Sequence, residues 1–153
     1  MGERAVVKPP ASLLRFYRIG LLCHTAMIFT IAGLAYAGKL PSGITVVPYY
    51  DTITHFVLVG MWGFFLDGSL AHRAVVKALE GVPFVPRLGT AMALAVATTE
   101  EVAQRLSPVR SSSWSDWVAN TTGILICSWL ALRLTASAAA RRRAGGVAEG
   151  GAA

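Results

Sequence analysis

Charged residues are scarce in this chain, and their scarcity argues against a soluble protein. Only 14% of its 153 residues are charged, while hydrophobic residues make up 54%. An average soluble domain carries about 25% charged residues, because it must cover its surface with polar groups. The length is sufficient for one domain. The composition therefore favours a membrane protein that exposes much of its surface to lipid.

Several chemical signatures are also absent. The two cysteines, Cys23 and Cys127, lie inside apolar runs, which argues against a disulfide framework or a CxxC zinc site. The sequence has no glycine-rich phosphate loop and no serine or cysteine nucleophile motif. The net charge of +6 does not indicate a nucleic-acid partner, because the basic residues flank apolar runs instead of alternating with aromatic residues. We expect no cofactor.

Four apolar stretches predict an all-α fold, a polytopic membrane protein built as a four-helix transmembrane bundle. A spanning helix needs about 20 apolar residues, and no stretch alternates with period two as barrel strands do. The first, second and fourth stretches are long enough, whereas the third is Ala-rich and marginal. The stretches cover approximately residues 16–37, 53–70, 88–103 and 117–134. We expect a flexible lead-in at 1–15, a four-span domain at 16–135 and a basic, disordered tail at 136–153.

The distribution of Lys and Arg predicts the orientation. Eleven of the 14 lie before or early in the first stretch, between the second and third, or within and after the fourth. The other three are Lys39, Arg105 and Arg110. Because cytoplasmic loops carry the excess of positive charge, both termini should be cytoplasmic in the cell membrane. The first stretch ends in Ala35-Tyr36-Ala37, like a signal-peptidase site, but it is longer than a signal sequence and we expect it to be retained.

Polar residues gather at the outer ends of the predicted helices, in pairs whose spacing places each pair on one helical face. Arg110 lies on the short loop between the last two stretches, and Gly123 would allow another helix to approach closely. An Asp at a helix start can be a simple cap, but charged groups at membrane depth cost about 2.5–3.5 kcal/mol each and need partners. We therefore expect one external polar cleft. The pairs are Asp51 with His55, Glu101 with Gln104, and Asp116 with Asn120.

Two further ionisable residues, Asp67 and His72, follow the second stretch. We interpret them as marking its cytoplasmic end.

The order and spacing of the polar residues resemble the signature of the VanZ-like membrane family, named after a protein associated with teicoplanin resistance. The pattern reads Asp51-x3-His55, then Glu101-x2-Gln104-x5-Arg110-x5-Asp116-x3-Asn120-x2-Gly123. The resemblance covers Tyr50 to Ile126, half of the chain. It departs at Thr52, where the family commonly has Lys, so a cation beside Asp51 is missing. Members are small helical proteins of the cell envelope, and some reduce sensitivity to glycopeptide antibiotics.

Three functions fit these residues. The first is binding of a lipid head group or a lipid-linked cell-wall precursor, with Arg110 holding a phosphate or carboxylate and with Gln104 and Asn120 supplying hydrogen bonds. The second is a membrane-embedded enzyme acting on lipid-linked substrates. In that enzyme His55 would form an acid–base pair with one of three carboxylates. The candidates are Asp51, Glu101 and Asp116.

The third function is structural, with a buried polar network that fixes helix packing and a protein as the partner. We expect no metal. An ion held by His55 and the three carboxylates would be Mg²⁺ or Ca²⁺ in preference to Zn²⁺, because the set holds one His and no Cys. The sequence does not choose an oligomeric state.

Overall fold

The computed structural model describes residues 8–39, 49–73, 87–108 and 113–150, which form an all-α four-helix bundle. α1 and α3 run toward one end of the bundle, and α2 and α4 start from that end. We call it the motif end, and we call the opposite end the Asp67 end. The helices are α1 (Ala11–Tyr36), α2 (Tyr50–Ser69), α3 (Leu88–Arg105) and α4 (Trp114–Gly150).

The helix ends differ from those expected from the sequence. α1 begins at Ala11, inside the predicted lead-in, and α4 continues to Gly150 through most of the predicted disordered tail. The Ala- and Arg-rich run at 136–143 explains the second difference, because these residues have high intrinsic helix propensity. Hydropathy marks the apolar interior of a helix, whereas propensity and capping determine where it ends.

Glycines bring α2 and α4 into close backbone contact. A Cβ added at Gly123 would lie 2.3 Å from the Phe56 carbonyl oxygen and 3.3 Å from Gly60 Cα. A Cβ added at Gly60 would lie 2.9 Å from the Gly123 backbone. Gly123, selected from the sequence as a site of close helix approach, thus lies where the two backbones meet. Small residues allow this packing, which aligns the polar residues at the start of both helices.

The buried apolar core is small and lies between α2, α3 and α4. Its fully packed members in the described residues are Leu66, Ala93, Ala97 and Ile124. Cys127 is buried and Cys23 is exposed, and the two form no disulfide.

α1 is attached to α2 by contacts between aromatic rings, such as Phe16 with Phe65, and by two hydrogen bonds. Only two of its residues are buried. His24 Nε2 donates to the Leu58 carbonyl oxygen at 2.8 Å, and Trp62 Nε1 donates to Thr25 Oγ1 at 2.9 Å. These bonds connect α1 to α2 along the middle of both helices. Most of the α1 surface therefore stays free of contacts within the described chain.

That free surface is strongly apolar. Phe29 is 74% exposed and Leu22 71% exposed. Among the described residues, two helices are long and apolar enough to cross a membrane on length and composition alone: Ala11–Tyr36, and Trp114–Ala144 within α4. α2 was also expected to qualify, but it is not among them. Polar residues within α2, including Asp51 and Asp67, lower its mean hydropathy.

Candidate functional site

His55 lies in the second turn of α2 at the motif end, and its side chain is 13% exposed. His55 Nδ1 lies 3.2 Å from Asn120 Oδ1, and Asn120 Nδ2 donates to Glu101 Oε1 at 3.5 Å. The carboxylate can only accept, so it orients the amide with Oδ1 toward the imidazole. Because Oδ1 can also only accept, His55 Nδ1 carries the proton in this arrangement.

This orientation leaves the other ring nitrogen available. His55 Nε2 lies 3.7 Å from Asp51 Oδ1, which is too far for a hydrogen bond. In the neutral ring Nε2 is an acceptor, and Asp51 is a second acceptor that is 64% exposed. The motif end therefore presents adjacent acceptor atoms to any donor or cation that reaches them.

Asp116 lies in the first turn of α4 and is buried. Thr52 Oγ1 donates to Asp116 Oδ1 at 3.2 Å. Thr52 thus supplies a neutral donor to a buried carboxylate. Asp51, His55 and Asp116 each offer one ligand atom, and these three atoms lie within 4.8 Å of one another. We assign no metal to them, because exposed acidic groups such as Asp51 commonly lie together without one.

The two glutamates of α3 have separate partners. Glu101 is buried and belongs to the His55–Asn120 chain, so it is not part of the three-residue group above. Gln104 is also buried, but its Nε2 donates to Glu100. Tyr36 of α1 donates its hydroxyl to the other oxygen of Glu100 at 3.4 Å. Gln104 is therefore connected to Glu100 and through it to α1.

A cavity of about 260 Å³ opens between α1 and α3, with α2 as its floor. We call it the groove. Its walls are mainly apolar and include Ile28, Ala32, Leu58 and Val96. At 1.5 Å per helical residue, the stretch of α2 that lines it from Asp51 to Trp62 is about 16 Å long. The groove ends at polar side chains of the motif end: Asp51, Thr54, His55, Glu100, Gln104 and Asn120.

Arg110, which the sequence predicts to bind an anion, lies outside the described residues. The groove lining found in the described chain includes no Lys or Arg. The other motif residues lie together at the motif end, with Gly123 one helical turn beyond Asn120.

A second polar cluster lies at the opposite end, where the sequence predicts only the end of the second span. We call it the Asp67 network, and its members come from α1, α2, α4 and the chain that follows α2 and precedes α3. Asp67 is completely buried, and His72 Nδ1 donates to its Oδ2 at 2.7 Å. Arg87 Nε lies 2.9 Å from the same oxygen, without the angle of a hydrogen bond, so this contact is ionic. The members are Tyr17, Asp67, His72, Arg87 and Thr135.

The remaining contacts connect the network to α1 and α4. His72 Nε2 lies 2.9 Å from Thr135 Oγ1, and Tyr17 donates its hydroxyl to the Ala131 carbonyl oxygen at 2.9 Å. His72 reaches back into the bundle because it has a left-handed backbone, with φ of 54°. Such a backbone is uncommon for a residue other than glycine. Asp67 and His72 are therefore buried packing residues, where the sequence had indicated only a helix end.

No protein-family model matches the chain, and no curated protein or solved structure is significantly similar to it.

Proposed function

We propose that this chain is a VanZ-like, four-span protein of the bacterial cell membrane with both termini in the cytoplasm. In this proposal the groove binds a membrane lipid, or a lipid-linked cell-wall precursor, by its polar head group and part of one chain. The observation that carries the proposal is the groove itself, whose apolar walls end at buried and half-buried polar side chains. The order and spacing of the polar residues from Asp51 to Asn120 support the assignment to the VanZ-like family.

The distribution of surface supports membrane insertion. The apolar face of α1 has no protein partner among the described residues, and in water such a surface would favour aggregation. Hydrogen bonds between helices help to attach α1 to α2, and small residues allow α2 and α4 to pack closely. Both features are common in membrane bundles, which do not depend on a large apolar core. Asp51 and Asp67 lie about 24 Å apart along α2, a separation comparable to the hydrocarbon core of about 30 Å.

Cysteine labelling tests the topology. With both native cysteines replaced by Ser, a single cysteine at Gly38 or Ser107 should react with a membrane-impermeant maleimide in intact cells. A cysteine at Arg73 or Ala144 should react only after the cells are opened. The reverse pattern, or labelling of all four positions in intact cells, would contradict the proposed orientation.

The groove fits an amphiphile because it offers two environments in one cavity. An alkyl chain would lie against the apolar walls, and the head group would reach the acceptors around His55. Burying apolar surface contributes about 25 cal/mol per Å², so the chain would supply affinity while the polar end would supply selectivity.

Filling the groove should remove the lipid. Ala32 lines the groove, so Ala32→Trp should displace co-purifying lipid, and native mass spectrometry should show the adduct falling by about tenfold, as expected for loss of a buried chain. Ala26→Trp is the matched control, because Ala26 is exposed on the same helix and is not among the groove residues. Equal lipid content in both variants would count against the groove as the binding site.

An enzyme that acts on the bound lipid is the second candidate. It is favoured by the free Nε2 of His55 beside the Asp51 carboxylate, an arrangement suited to proton transfer near neutral pH. Turnover of a lipid-linked substrate by the purified protein, abolished in His55→Ala with lipid binding retained, would establish it. Binding without turnover would favour the first proposal.

A further inference from the structure

The hydrogen-bonding groups at the polar end of the groove indicate which head group it accepts. We infer that the groove takes an amphiphile with a protonated amine head, held by the acceptors of Asp51, His55 and Glu100. This inference rests on the proposed lipid-binding function and specifies its ligand.

Several of the donors at this end already bond within the protein. Asn120 Nδ2 donates to Glu101, Gln104 Nε2 donates to Glu100, and the Tyr36 hydroxyl donates to Glu100 as well. The indole N–H of Trp62, deeper in the groove, donates to Thr25. A phosphate or carboxylate head needs several donors, and at this end the described lining would offer it the Thr54 hydroxyl and amide groups that already donate to carboxylates.

The acceptors, in contrast, are available. His55 Nε2 and Asp51 Oδ1 face each other at 3.7 Å, and a group placed at both would have to donate to both. A primary ammonium has three N–H donors and no acceptor, so it matches this arrangement. Hydrogen bonds that involve a charged donor or acceptor are stronger than those between neutral groups, which makes the match selective.

The negative charge at the polar end of the groove also favours a cation. Two of the groove-lining side chains, Asp51 and Glu100, are carboxylates, and no lysine or arginine lines the groove within the described chain. Buried Asp116 adds a further carboxylate, with an oxygen within 4.8 Å of ligand atoms of Asp51 and His55. These charges attract a cation and repel an anion.

Three amphiphiles with one chain length test the inference: dodecylamine, 1-dodecanol and dodecyl phosphate. Each is titrated at a submicellar concentration and pH 7 into full-length protein in nanodiscs, and binding is followed by displacement of a fluorescent fatty alcohol. The amine should bind about tenfold more tightly than the alcohol, as one charge-assisted hydrogen bond provides, and the phosphate should bind most weakly. Preferential binding of the phosphate, or equal binding of all three, would overturn the inference while leaving lipid binding intact.

Substitutions at Asp51 and Glu100 test whether these two carboxylates determine the preference for the amine. Asp51→Asn combined with Glu100→Gln should reduce the affinity for dodecylamine about tenfold, and Glu149→Gln, an identical charge change near the far end of α4, should not. If the double variant does not fold, the exposed Asp51→Asn change alone should reduce the amine preference several-fold. An unchanged amine preference in the folded variant would overturn the assignment. Failure of all three amphiphiles to displace the probe would instead refute lipid binding in the groove.

Discussion

Replacing Asp67 with Ala should lower the free energy of unfolding by about 3–5 kcal/mol, the usual cost of leaving a buried charge without its partner. Asp67 is completely buried and lies 2.9 Å from Arg87 Nε and 2.7 Å from His72 Nδ1. Without the carboxylate, the Arg87 charge has lost its ion-pair partner and His72 has lost its acceptor. Thermal or denaturant unfolding in a mild detergent would measure the change.

The matched control is Asp51→Ala, at the opposite end of the same helix. Asp51 is 64% exposed and its favourable interaction with the helix N-terminus is worth about 0.3–1 kcal/mol, so its loss should cost no more than that. Similar destabilisation by the two substitutions would show that the Asp67 network is not a specific source of stability. A loss below about 1 kcal/mol for Asp67→Ala would show the same.

A double substitution at the Asp67 end tests whether the Asp67 network serves packing or lipid binding. Asp67→Leu with Arg87→Leu removes both charges, and buried ion pairs can often be replaced by apolar residues at little or no cost. We expect the double variant to be more stable than Asp67→Ala. If it is stable and still binds lipid in the groove, the network serves packing. Loss of lipid binding in a stable double variant would contradict that interpretation.

The second large effect is expected at the α2–α4 contact. Gly123→Ala places a methyl group 2.3 Å from the Phe56 carbonyl oxygen, which forces the two helix backbones apart. Overpacking of this kind costs about 1–3 kcal/mol, and occasionally more. The separation would also misalign His55 and Asn120, so the variant should lose both stability and lipid binding.

Gly33→Ala is the control, and it should change stability in the opposite direction. A Cβ at Gly33 meets nothing within 4 Å, and the position lies inside α1. Ala there should stabilise the helix by about 0.5–1 kcal/mol, because glycine loses more conformational freedom on folding. Melting temperatures of the two variants in one detergent compare them directly. Destabilisation by both, or by neither, would contradict the close contact of α2 and α4.

The sequence was informative where residues interact over short distances. Asp51 and His55 lie four residues apart, and so do Asp116 and Asn120, so helical periodicity predicted shared faces at helix starts. The structure places His55 against Asn120 and Thr52 against Asp116. The positions of the helices followed from apolar stretches in the same way, because burial in lipid or protein requires a continuous apolar run.

What the sequence did not predict depends on how helices pack in three dimensions. The Asp67 network joins Tyr17, Asp67 and Thr135, which are far apart in the chain and share no spacing pattern. The groove depends on the separation of α1 from α3, which periodicity does not encode. Glu100 and Glu101 are adjacent in sequence, and only the rotation of α3 shows that one lines the groove while the other is buried beside Asn120.

The central claim is that a lipid chain lies in the groove between α1 and α3. A lipid with a photoactivatable diazirine in its acyl chain, irradiated with the protein in nanodiscs and mapped by mass spectrometry, tests it most directly. We predict crosslinks at Ile28, Ala32 and Val96 that excess unlabelled lipid suppresses, and only non-saturable labelling at exposed Leu125 and Trp129 of α4. Labelling of the groove that unlabelled lipid does not suppress, or that is no stronger than labelling of α4, would contradict the claim.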